Sequence, residues 1–181
     1  TRRRFLQDSI KSSIGLSGSM LFHTNLMASE MPADITELSA SNLSMAIQQK
    51  EVSCAEVMQA YLSRIHRYNP VYNAIVSLIE DDELLNQARR ADAELARGEY
   101  RGWMHGMPHA IKDVRGAAGL PFTSGSPLYA ERIAETDHPL AAAIRGAGAI
   151  FIGKTNVPEF GLGSQSYNPV FGATGSAWNP A

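Results

Sequence analysis

Apolar residues recur at helical spacing in three stretches of the chain. In the stretch SNLSMAIQQKE, Leu43, Ala46 and Ile47 share one face, and serines of the kind that cap a helix stand at its start. A second helix is predicted to begin at the capping box SCAE of residues 53–56 and to stop at the Asn-Pro pair of residues 69–70. The pattern also predicts a third helix in the run DDELLNQARRADAELARGE, which has acids in its first turn and a glycine near its end.

Short apolar runs without helical spacing predict strands. One is YNAIVSLI, residues 72–79, and two others lie at residues 107–112 and 149–153. Between the last two, a helix rich in small residues is predicted over residues 138–146, with Asp137 as its cap. A strand, a helix and a strand in this order form a crossover whose two strands are parallel. The pattern therefore predicts an α/β fold.

Residues 148–155, GAIFIGKT, match the spacing G-x-x-x-x-G-K-[ST] of a phosphate-binding loop. Such a loop needs a strand before its first glycine and a helix that begins at the Lys-Ser/Thr pair. Here a predicted helix precedes Gly148, the four middle residues favour an extended strand, and Pro158 falls inside the required helix. We interpret the match as accidental and predict no nucleotide site.

Composition narrows the function classes. The chain has 181 residues, 44% of them hydrophobic, and a formal net charge of -2. These values predict one domain or most of one, with no basic surface for nucleic acid and no apolar run long enough to span a membrane. The single cysteine, Cys54, is predicted to pack as a small hydrophobe.

No metal or cofactor is predicted. His105 and His109 have a spacing that could hold a metal on a helix, but Gly106 and Pro108 between them exclude a helix. We interpret both histidines as loop and strand residues. The segment GLGSQS lacks the third glycine and the following helix of a dinucleotide-binding motif, so it is predicted to be a loop.

The N-terminus differs from the rest of the chain. Residues 1–7, TRRRFLQ, resemble a twin-arginine export motif, and a mildly apolar stretch follows at residues 13–28. The resemblance predicts a signal segment over residues 1–30, a domain over residues 31–181, and a periplasmic or exported protein. The open alternative is a frayed basic N-terminus, with the protein in the cytoplasm.

Lys112 is the first candidate for chemistry. It ends an apolar run that must be largely buried, at the carboxyl end of a strand, where ligand sites of parallel α/β sheets cluster. Desolvation moves a lysine pKa from about 10.4 towards about 7–8, the range that a general base needs. The open alternative is a strand-end cation whose amine reaches water.

Two blocks of the chain resemble the amidase signature family. Residues 106–129, GMPHAIKDVRGAAGLPFTSGSPLY, follow the pattern G-[IV]-P-x-x-[IVL]-K-D, then a GLP-like segment and a GS pair. Residues 140–181 follow with R-x-x-GA, GKTN-x-PEF and NP-x-FG, so that the resemblance covers residues 35–181. It implies a mixed β-sheet packed between α-helices, of which this chain is the N-terminal portion. It also implies hydrolysis of a small-molecule amide by a Ser-cisSer-Lys triad.

The resemblance assigns roles to individual residues. Lys112 is similar to the catalytic lysine, which takes a proton from a bridging serine and thereby activates the serine nucleophile. Both family serines lie beyond Ala181, so this chain alone is predicted to be inactive. Ser126 and Ser164 are predicted to line the substrate pocket. Lys154 is interpreted as a structural strand-end lysine with a solvated head.

Three functions stay open at this point. The first is an exported amidase, and the second is the glutamine-hydrolysing subunit of a tRNA-dependent amidotransferase, a cytoplasmic enzyme with partner subunits. The third is a non-catalytic protein that keeps the fold as a binding module. The expected partner is a small-molecule amide, and a homodimer is an open alternative.

Overall fold

The computed structural model describes residues 34–179, and the predicted export segment lies outside them. Within this range the helices are α1 (Ala40–Gln48), α2 (Cys54–Tyr72), α3 (Asp81–Ala96) and α4 (Pro139–Gly146). The strands are β1 (Ile75–Val76), β2 (Pro108–Lys112), β3 (Ile150–Thr155), β4 (Tyr167–Asn168) and β5 (Gly172–Ala173).

The first three predicted helices are present. α1 buries the predicted apolar face, and α2 begins at the predicted capping box, in which Ser53 and Glu56 satisfy each other's backbone N–H groups. The predicted stop at residues 69–70 is wrong, because α2 continues through Pro70 to Tyr72. The Asn69 side chain there binds the backbone of β1, and the helix ends only where Asn73 takes a left-handed conformation.

The strands β1, β3 and β2 form a mixed sheet in that order. β2 runs parallel to β3, which confirms the predicted crossover through α4, whereas β1 is antiparallel to β3. β1 has only two residues because α2 takes up Tyr72 and because Ser77, at φ 53°, leaves the strand conformation. The prediction of an α/β fold with a mixed sheet is therefore confirmed.

Two details of the crossover bear on the sequence predictions. His138, not Asp137, caps α4, since its Nδ1 accepts a hydrogen bond from the Leu140 N–H. Asp137 instead accepts a hydrogen bond from Ala118 and pairs with Arg145. The formal phosphate-loop match lies in the turn after α4 and in β3, as an extended strand, so the motif has no phosphate-binding geometry.

Two apolar clusters cover opposite faces of the sheet. The larger joins α1, α2 and α3 to Ile150 and Ile152 of β3. The smaller joins Ile111 of β2 and Phe151 of β3 to Ala141 of α4. Because adjacent strand residues point to opposite faces, the sheet lies between α2 and α3 on one side and α4 on the other. In residues 34–179, the helices are all too short or too polar to cross a bilayer.

Candidate active site

A β-bulge determines which way the end of β3 faces. His109 pairs with Phe151, but the next residue of β2, Ala110, pairs with Gly153, so Ile152 is an extra residue in β3. One extra residue reverses the alternation of side chains beyond it. Lys154 therefore shares the face of Phe151 and of its own register partner, Ile111, which is the face that packs against α4.

Lys154 is fully buried on that face. Its Nζ donates a hydrogen bond to the Arg115 carbonyl oxygen at 2.6 Å and lies 3.6 Å from the Asp113 carboxylate and 5.5 Å from the centre of the Phe122 ring. Burial lowers the pKa of the Lys154 amine, and the Asp113 carboxylate opposes that change. The prediction of a solvated lysine head at this position is wrong, because the bulge turns the side chain inward.

Asp113 connects this amine to the far end of the loop that follows β2. Its side chain is fully buried and accepts hydrogen bonds from the Thr123 N–H at 3.2 Å and hydroxyl at 2.6 Å. The Thr123 hydroxyl in turn accepts from the Gly125 N–H at 2.9 Å, and the Asp113 carbonyl accepts from the Ser124 N–H at 3.1 Å. One carboxylate thus holds both ends of the segment 113–125 together.

Lys112, the predicted catalytic lysine, lies beside this network but points away from it. It pairs in register with Thr155 at the carboxyl end of β2, on the face opposite to Ile111 and Asp113. Its side chain is exposed. The prediction that Lys112 is buried is therefore wrong for the part of the chain that the structure describes. Within residues 34–179, α2 and α3 leave the Lys112 side chain at the end of β2 exposed. Its position at a strand end is confirmed, and its catalytic role stays a prediction.

The two predicted pocket serines have different environments. Ser126 is fully buried, and its hydroxyl has no hydrogen-bond partner among the described residues. An unpaired buried hydroxyl is costly, so this group has an unused capacity to bind a polar atom. Ser164 is exposed on the loop before β4 and forms no hydrogen bond with Lys112 or Ser126 in residues 34–179. The two serines therefore differ in burial, and no hydrogen bond joins them in residues 34–179.

Two asparagines that the sequence did not single out support the same edge of the sheet. The Asn168 amide donates to the Asn156 side-chain oxygen and to the Val157 carbonyl, both at 2.7 Å. The Asn156 amide donates to the Gly172 carbonyl at 3.1 Å, which ties the β4–β5 hairpin to the end of β3. A Cβ atom on Gly125 would lie 3.0 Å from Asn168, so the hairpin packs directly on the loop after β2. The sequence contained a signal for both residues, since Asn156 ends the GKTN motif and Asn168 begins the NP motif.

The histidines and the cysteine have structural environments. The His105 Nδ1 accepts from the Arg101 N–H at 3.2 Å, and its Nε2–H donates to the Ala91 carbonyl at 2.9 Å, so neither ring nitrogen is free for a metal. His109 is half-buried, with its ring 5.9 Å from that of Phe151. Cys54 is fully buried, and that burial, with a smaller effect of the neighbouring carboxylates, raises the pKa of its thiol to about 12. The prediction that the cysteine packs as a small hydrophobe is confirmed.

One apolar groove lies away from this edge of the sheet. It has a volume of about 620 Å³ along α2, is lined by Tyr61, Tyr68 and Tyr72 among others, and contains none of the predicted site residues. The residues that the sequence predicts for the site therefore lie outside this groove.

The chain and its fold are similar to those of proteins named as amide hydrolases. The sequence profile of the Amidase family matches residues 56–181, and the chain belongs to that family. One subunit of the glutamyl-tRNA(Gln) amidotransferase of Acidothermus cellulolyticus is 38% identical over 147 residues. The indoleacetamide hydrolase of Bradyrhizobium diazoefficiens is 36% identical over 146 residues. The solved structure of a fatty acid amide hydrolase superposes with a TM-score of 0.75 at 27% identity.

These matches cover most of this chain but a small part of the relatives. Each of the two curated relatives matches 81% of this chain, and the matched region is 29% and 28% of their own lengths. The superposition covers 80% of this chain and 26% of the fatty acid amide hydrolase. The chain thus spans less than a third of the length of the relatives it matches.

Proposed function

We propose that the protein hydrolyses a carboxylic amide to an acid and an amine or ammonia, with Lys112 as the general base. The observation that carries the proposal is the position of Lys112 at the carboxyl end of β2, beside a fully buried ion pair that holds the loop after it. Relatives named as amide hydrolases support the same reaction class. The two serines that complete the reaction are expected beyond residue 181.

The proposed steps follow from the chemistry of the groups. A neutral Lys112 amine accepts a proton from a bridging serine, which takes the proton of the nucleophilic serine as it attacks the amide carbonyl. The bridging serine returns a proton to the leaving amine, and water then releases the acid from the acyl-enzyme. The amine must be desolvated to be neutral near pH 7, so we propose that the remainder of the domain covers the exposed end of β2.

The glutamine-hydrolysing subunit of an amidotransferase is the second candidate. It is favoured by the 38% identity to one subunit of the glutamyl-tRNA(Gln) amidotransferase. Substrate and partners distinguish the two functions. An independent amidase hydrolyses simple amides without partner subunits, whereas the amidotransferase component hydrolyses glutamine together with its partner subunits. A third candidate, a binding module without catalysis, predicts no turnover of either substrate.

We also propose that residues 1–30 direct export, on the basis of the TRRRFLQ motif. Export favours the independent amidase, because the amidotransferase works in the cytoplasm. A secretion reporter fused behind residues 1–33 tests this: retention in the cytoplasm would remove the argument against the second candidate.

The test of the reaction uses the full-length gene product with Lys112→Gln. We expect loss of at least about 1000-fold in kcat on an amide panel that includes an arylacetamide, a short aliphatic amide and glutamine, because the general base is removed. Lys50→Gln is the matched control, since Lys50 is also exposed. Retained turnover in Lys112→Gln would refute the assigned role.

A further inference from the structure

The burial of Lys154 is unusual for a lysine. Of the large side chains in residues 34–179, it is among the few with no exposed surface, and its register partner is the apolar Ile111. Lysine is almost never fully buried, and an apolar side chain of similar volume fills such a position at lower energetic cost. A charge kept in such a place therefore indicates a geometric requirement rather than a gain in stability.

The geometry shows what the amine holds. Its contacts are the carbonyl oxygen of Arg115 and the carboxylate of Asp113. Both belong to the first three residues after Lys112. Lys154 lies on β3 and is fixed by the strand ladder, so it clamps the start of the loop to a rigid strand. The bulge at Ile152 brings the amine to the face where Asp113 and Arg115 lie.

Asp113 carries the constraint to the other end of the loop. Its carboxylate takes two hydrogen bonds from Thr123, whose hydroxyl accepts from the Gly125 N–H and whose carbonyl accepts from the Ser126 N–H at 3.1 Å. Ser124, between them, is held at φ 54°, a conformation that few residues adopt without support. The loop thus returns to the end of β2 at a defined place.

We propose that Lys154, Asp113 and Thr123 are positioning residues that set the place of Lys112 relative to Ser126. The inference rests on the proposed function, since it requires Lys112 to take part in catalysis. The three side chains themselves touch no reacting atom. They act because Lys112 immediately precedes the clamped segment and Ser126, with its unpaired buried hydroxyl, immediately follows it. A small displacement of Lys112 reduces the rate of proton transfer, and a displacement of Ser126 changes the predicted pocket beside it.

Thr123→Val in the full-length protein tests the proposal, because valine keeps the shape of threonine and removes only the hydroxyl. We expect kcat to fall by about tenfold or more, with KM within about twofold of wild type. Thr123→Ser restores the hydroxyl and is expected to recover kcat to within about twofold. Ser53→Ala is the matched control: it also removes a hydroxyl bonded to a carboxylate, that of Glu56, but on α2 and outside the network.

The outcomes distinguish positioning from a purely structural role. If Thr123→Val loses no more kcat than Ser53→Ala at an equal loss of melting temperature, or if Thr123→Ser does not recover kcat, the proposal is wrong. Asp113→Asn is a second test. Both carboxylate oxygens of Asp113 accept hydrogen bonds from Thr123, and asparagine keeps one acceptor oxygen but puts an amide NH2 donor in place of the other. A wild-type kcat in Asp113→Asn would also overturn the proposal. Turnover retained in Lys112→Gln refutes the proposed function itself, whatever the result for Thr123.

Discussion

The Lys154–Asp113 pair makes a sharp stability prediction. Both side chains have no exposed surface, so Lys154→Met leaves the Asp113 carboxylate buried without its cation. Removing one partner of a buried ion pair costs about 3–5 kcal/mol. The two hydrogen bonds from Thr123 continue to stabilise the carboxylate, which places the expected loss near the lower end, at about 3 kcal/mol.

The double variant separates the pair from its neighbours. In Lys154→Met/Asp113→Asn no charge remains buried, and the thioether of methionine fits an apolar site beside Phe122. Asp113→Asn alone leaves the Lys154 amine buried without its anion, so it is also expected to be destabilising. We expect the double variant to be within about 1 kcal/mol of wild type, well below the sum of the two single losses. A chain with two neutral side chains would then be more stable than one with the single substitution.

The assay is urea unfolding of the full-length gene product, followed by circular dichroism for wild type, both single variants and the double variant. Lys50→Met is the control, and as an exposed lysine it is expected to change the free energy of unfolding by less than about 0.5 kcal/mol. Additive single effects, with a coupling below about 0.5 kcal/mol, would show that the amine and the carboxylate do not interact. That result would refute the reasoning.

Two further predictions concern the same strands. Gly153→Ala is expected to lower the free energy of unfolding by about 2–4 kcal/mol, because the added Cβ would lie 2.7 Å from the Ser77 carbonyl oxygen. Gly98→Ala is the control: this glycine also has a positive φ, but no atom lies within 4 Å of the added Cβ, so we expect a loss of about 1 kcal/mol. Equal losses in the two variants would contradict the predicted clash. Burial lowers the pKa of His109 from 6.5, so the unfolded chain binds its proton first and stability falls as pH falls below 6.5. His109→Gln should remove that part of the pH dependence in melting temperature, and unchanged pH slopes would count against it.

The sequence predicted the local elements and the family well. α1, α3 and the start of α2 depend on spacing and capping residues within a few positions, and the crossover through α4 follows from the order of its elements. The end of α2 could not be predicted by the Pro70 rule, because the Asn69 side chain binds β1, a contact outside the local window. The N-cap of α4 is His138, one residue after the predicted Asp137, because the Asp137 carboxylate instead pairs with Arg145.

The site divides in the same way. The sequence by itself determined that Lys112 stands at the end of a strand and that Lys154 stands in the next parallel strand, because both follow from local pattern and order. Only the tertiary structure decided which lysine is buried. The bulge at Ile152 reverses the alternation of side chains in β3 and turns Lys154 towards Asp113. Lys112 points to the other face of the sheet, where its side chain is exposed in residues 34–179. Register between strands far apart in the chain sets side-chain direction, and no local pattern contains it.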